Sequence, residues 1–155
     1  MIKVQAARFG EIEIGEESII RIPRGILGFE DAKEFALIQH KPGSAIRWLQ
    51  CLTDPELAFA VIDPSEYFED YDFELSATEV EYLGITRPDQ ALVLTIISIG
   101  SQGKEVTANL VGPVVVNSKT LVGMQVVLDD PKYGTRHKLT GRTDSGAKDA
   151  LVRAA

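Results

Sequence analysis

The side chains whose spacing invites chemistry in this sequence are carboxylates. Residues 65–75 read SEYFEDYDFEL, and from Asp70 onward acidic and apolar residues alternate, with Asp70, Asp72 and Glu74 set against Tyr71, Phe73 and Leu75. Alternate side chains of an extended segment point to opposite faces, so the rings are expected to grip the body while three carboxylates stand outward in a row. Acid and base catalysis from such a cluster requires at least one carboxyl in a cleft that raises its pKa. A calcium loop opening at Asp70 requires glycine at its sixth position, where Leu75 stands, so a metal is not expected. Without a cleft, a row of carboxylates can still discourage strand-to-strand aggregation and attract a basic protein.

The other reactive side chains are isolated. His40 and His137 have no second histidine or cysteine near them in sequence, so neither a ligand set nor a catalytic pair forms. Cys51 is the one cysteine and lies inside an apolar run, which excludes disulfide and zinc frameworks and reads as a small core hydrophobe. Gly25 and Gly28 belong to no phosphate-binding pattern, and residues 100–103 do not place a serine in the middle of a nucleophile elbow. No enzyme and no cofactor are expected. A barrel for a small ligand would require a sizeable apolar cavity. The longest apolar run, residues 91–99, is interrupted by Thr95 and Ser98 and is too short to span a bilayer, so a soluble cytoplasmic protein is expected.

Charge is distributed unevenly along the chain. Lysine and arginine number 16 against 23 acids, a net charge of −7. Residues 54–90 carry eleven acids against Arg87 alone, whereas residues 131–155 are net basic. An acidic patch of this kind disfavours direct nucleic-acid binding, which needs cations against phosphate. It favours a basic protein partner and speeds the encounter with it.

The elements that must hold these residues are short strands. Residues 46–52 and 57–62 are β-favouring apolar runs joined by the turn-like Thr53, Asp54, Pro55 and Glu56, a hairpin in which Trp48, Leu57, Phe59 and Val61 supply buried area. Residues 2–5, 11–14, 19–22 and 35–38 form further strands. Between the last two lies a loop, residues 23–30, with a proline and two glycines; Ile26, Leu27 and Phe29 are expected to pin it to the core. Ser76 followed by Glu79 is a capping box, and Gly84 fits the left-handed position that closes the helix it opens. Residues 91–99 form a strand apolar enough to be covered on both faces, returning through 100–103 to residues 105–111. Residues 114–116 and 121–128 flank a turn at 117–120. Asn109 and Asn117 are disfavoured in strands and are expected to hydrogen-bond neighbouring loops. Residues 133–139 continue the chain, and the small, polar stretch from Gly141 onward is expected to be largely disordered. The expected organisation is a β domain over 1–139 followed by a basic tail over 140–155.

The wording of these pieces resembles the flagellar assembly factor FliW family. The resemblance is carried by GILGFE at residues 25–30, WLQCLTDPELAFAVIDP at 48–64, YDFEL at 71–75, TANLVGPVVVN at 107–117, and GMQVVL followed by Tyr133, Arg136 and Leu139. It departs from the family at Cys51, where serine is frequent, and at Gly112, where alanine is common before Pro113. The resemblance implies a mainly β, small antiparallel β-barrel-like single domain with one short helix, and a protein that is not an enzyme. It further implies two mutually exclusive partners: the RNA-binding translational repressor CsrA, whose repression of flagellin synthesis is antagonised, and flagellin itself. A basic repressor fits the acidic patch, which places the CsrA-facing surface at Glu69, Asp70, Asp72 and Glu74, with Tyr71 and Phe29 as anchors. Ile26, Leu27 and Phe29 are the residues expected to meet an apolar segment of flagellin.

Overall fold

A computed structural model describes residues 1–39, 41–100 and 105–139. His40, the tip of the 100–103 turn and the 140–155 tail lie outside the described residues. The chain forms strands β1 (Ile2–Ala6), β2 (Gly10–Ile14), β3 (Ile20–Arg21), β4 (Glu34–Ile38), β5 (Arg47–Cys51) and β6 (Ala58–Ile62). Helix α1 (Ala77–Leu83) follows. The remaining strands are β7 (Ala91–Ile99), β8 (Val106–Ala108), β9 (Val114–Asn117), β10 (Gly123–Gln125) and β11 (His137–Lys138).

β1 and β2 form a separate hairpin, and the other strands make one antiparallel sheet in the order β10-β9-β7-β6-β5-β4-β3. β8 pairs with the far half of β7 and carries β11 on its outer side. The sheet does not close into a barrel ladder. Its two ends nevertheless approach, because Arg21 makes an isolated parallel bridge to Val122 and its amide donates to the Leu121 carbonyl at 2.9 Å. The expected mainly β architecture with one helix is observed, rolled rather than closed.

The expected hairpin is the middle of this sheet. β5 is buried on both faces: Leu49 and Cys51 join one core cluster with Phe35, Val61, Leu94 and Val114, while Trp48 joins a second with Ile46, Ile62, Ile97 and Leu110. Each large apolar side chain so removed from water is worth roughly 1.5–3 kcal/mol, which makes β5 costly to disturb. Gln50 is buried among these apolar neighbours, and its amide nitrogen faces the carbonyls of Cys51, Asp54, Pro55 and Leu57 at 3.1–3.2 Å, tying the turn to the strand.

Three expectations need correction. Leu27 is 66% exposed and Phe29 45%, so of the three loop residues only Ile26 is buried. Gly25, at φ +71 and with a virtual Cβ 2.5 Å from the Glu30 backbone, folds the loop back on itself and turns Leu27 outward. β7 is not covered on both faces throughout: Ala91, Leu92 and Val93 are only half-buried. The turn between β9 and β10 includes Leu121, which adopts φ 59 as its amide closes on the Asn117 carbonyl at 2.8 Å.

Candidate functional site: an acidic ridge between two grooves

β6 ends where Pro64 removes a ladder donor. Asp63 caps the short 3-10 turn Pro64–Glu66, accepting from the Ser65 amide at 3.0 Å and the Ser65 hydroxyl at 2.7 Å. The chain then runs along the surface without strand pairing, and the burial alternates as the sequence suggests. Tyr71, Phe73 and Leu75 are half-buried, while Glu69, Asp70, Asp72 and Glu74 are exposed.

Aromatic contacts hold this unpaired segment. The Tyr71 ring stands edge-on to Tyr133 at 4.8 Å and against Phe73 at 5.4 Å, and its hydroxyl donates to the Leu110 carbonyl at 2.7 Å. The Tyr133 hydroxyl accepts from the Asp72 amide and donates to the Asp72 carbonyl, both at 3.0 Å. Burial, and then the neighbouring Tyr133, push the Tyr71 phenol well above the ordinary tyrosine range, so it stays a neutral donor. At the end of the segment the Ser76 and Glu79 capping box starts α1, and Gly84 at φ 68 ends it. Asn117 seals that end, with its amide nitrogen 2.9 Å from the Leu83 carbonyl while its oxygen accepts from the Lys119 and Thr120 amides.

The result is a ridge with a groove on either side. One groove, about 570 Å³, is polar and lies between Glu69, Asp70, Tyr71, Tyr133 and His137. The other, about 700 Å³, is mostly apolar, walled by Phe73, Leu75, Ile85, Val93 and Val115 and rimmed by Asp63, Asp72 and Glu74. None of the four ridge carboxylates takes part in an ion pair among the described residues. Each of the four is exposed to solvent at the edge of one of the grooves. No group of three or more metal-ligating side chains is brought together among the described residues. Cys51 is buried, and His137 uses Nε2 to accept the Gly134 amide at 2.7 Å.

Phe29 and Leu27 sit apart in the chain from the ridge, on the Gly25 loop. The Phe29 ring stands edge-on to Phe59 at 5.2 Å and borders a hollow of about 330 Å³ with Glu30, Asp31 and Asp54. Sequence reasoning missed the residue that holds this loop. Gln125 accepts the Leu27 amide at 2.8 Å and donates to the Gly112 carbonyl at 3.0 Å. Val127, two residues further along the same extended stretch, is also exposed. A lone glutamine in an apolar strand was the available signal.

The sequence profile of the FliW protein family matches residues 3–139. The chain belongs to the FliW family. Among relatives named flagellar assembly factor FliW, the protein of Alkaliphilus metalliredigens is 42% identical over 86% of this chain and 83% of its own length. That of Moorella thermoacetica is 40% identical over 89% of this chain and 88% of its own. The Natranaerobius thermophilus protein is 34% identical, covering 97% of this chain and all of its own length. A crystal structure of the flagellar assembly factor FliW superposes with a TM-score of 0.84 at 33% identity, over 92% of this chain and the whole of that one. The FliW relationship thus rests on sequence and fold together and identifies a flagellar assembly factor. Among the described residues no helix is long and apolar enough to cross a membrane.

Proposed function

We propose that this protein is a partner-switching flagellar assembly factor: in the cytoplasm it binds a CsrA-type repressor and relieves repression of flagellin synthesis, and it binds free flagellin in exclusion of that repressor. Family membership supports flagellar assembly, and the acidic ridge carries the finer reading. A repressor that holds RNA must present cations, and Glu69, Asp70, Asp72 and Glu74 are displayed to solvent, uncompensated by ion pairs among the described residues. Docked beside the RNA surface, the same carboxylates repel incoming phosphate. Tyr71, at the foot of the ridge, and Phe29 are the apolar anchors in this reading. Binding rather than catalysis is its mode of action. For flagellin, the outward-facing Leu27 and Phe29, with Ile26 fixing their loop, supply an apolar contact of the sort an unpolymerised helical segment seeks.

Calorimetric titration into the CsrA homologue of the same organism, repeated with flagellin present, tests the switch. Tight binding abolished by flagellin is expected. Flagellin binding without any CsrA binding would leave a flagellin chaperone alone and contradict the antagonist reading.

A further inference from the structure

The apolar groove beside the ridge reaches the edge of β7 at the point where its ladder with β6 ends, next to the 3-10 turn Pro64–Glu66. The Gln90 carbonyl accepts the Ser118 amide at 2.8 Å and the Ile96 carbonyl accepts the Asn109 amide at 2.9 Å, so even-numbered residues of β7 face β9 and β8. By the two-residue period of a strand, Val93 and Thr95 turn their backbone groups to the β6 side, whereas the Ala91 amide donates to the Pro88 carbonyl. The β6 ladder stops at the pair Ile62 and Thr95, after which Pro64 carries the chain away. Val93 therefore faces the groove with no strand opposite it. Beyond that edge stand the half-buried Phe73 and Leu75, and above them Asp63, Asp72 and Glu74. Arg87, the cation of the lining among the described residues, lies 3.4 Å from Asp89.

We propose that this groove receives a short extended segment of a cationic partner, which adds a strand to the edge of β7 at Val93. Alternate side chains of the segment fill the apolar walls, and its lysines or arginines, on the other face, meet Asp63, Asp72 and Glu74. Main-chain hydrogen bonds supply affinity in this mode and the alternating pockets supply specificity. A free edge accounts for an extended occupant, and the acidic rim for a basic one. The inference rests on the reading of the ridge as a partner surface and adds how a partner engages it: the carboxylates are the rim of a groove rather than a flat patch.

The probe is a capped peptide of alternating lysine and valine, titrated into the full chain with methyl and amide NMR signals followed. Expected are shifts at the Val93 amide and at the methyls of Ile85, Val93 and Val115. An N-methylated version of the same charge and apolar content, unable to extend the ladder, should bind at least about tenfold more weakly, the equivalent of one to two lost hydrogen bonds. Ala91→Trp, which fills the groove without altering charge, should also weaken the peptide, and Asp72→Asn with Glu74→Gln should do so without touching the core. Equal binding of the N-methylated peptide, shifts confined to Leu27 and Val127, or no binding at low salt would each overturn the proposal. Peptide docking as described, in a protein that fails to bind the CsrA homologue, would support the groove while removing CsrA as its natural occupant.

Discussion

At the scale of single residues, the ridge depends on a phenol kept neutral. Tyr71 donates to the Leu110 carbonyl only while protonated, and its pKa in the folded chain lies above the ordinary value. A raised acid contributes stability that is complete below the unfolded pKa and is lost as pH rises through and beyond about 10. Denaturant unfolding at pH 9 and pH 11 should therefore show a smaller alkaline loss for Tyr71→Phe than for the unaltered protein, although the variant starts less stable. An identical loss in both would show that the hydroxyl contact does not form. Asn117 makes the complementary case in the core. It is 6% exposed and serves both the end of α1 and the β9–β10 turn. Asn117→Ala should cost about 2 kcal/mol in chemical denaturation, since it strands a buried carbonyl and two amides.

At the scale of elements, what could be read from sequence was whatever is settled within a few residues. Ser76, Glu79 and Gly84 announce α1 because caps act over one turn, and Pro64 marks the end of β6 because proline acts on its own residue. The alternation of the ridge was legible for the same reason. The partners that hold the ridge were not: Tyr133 reaches Asp72 across 61 positions, and Gln125 reaches Leu27 across 98. Nor could composition show that Leu27 faces outward, because apolar residues between two glycines fit either side of a loop. Gln125 is a clamp in this account. Gln125→Ala should cost about 1 kcal/mol and accelerate hydrogen exchange at the Leu27 amide, with the amides of β4 to β6 unaffected. Unchanged exchange at Leu27 would mean the loop is held by Ile26 and Gly25 alone.

At the scale of the whole molecule, the apolar core and the excess of negative charge lie in different parts of the chain. The core is built around β5 and is indifferent to charge, while the excess of acid is concentrated in residues 54–90, with Glu69, Asp70, Asp72 and Glu74 displayed along an unpaired segment outside the sheet. The surface can therefore be recharged without dismantling the fold. The affinity of the CsrA homologue for the unaltered protein and for the double variant Asp70→Lys and Asp72→Lys, measured at low and at physiological ionic strength, tests the central claim most directly. Binding should weaken with salt, and the variant should bind about tenfold or more weakly with a shallower salt dependence. Equal affinity and an equal salt slope in a folded variant would contradict it.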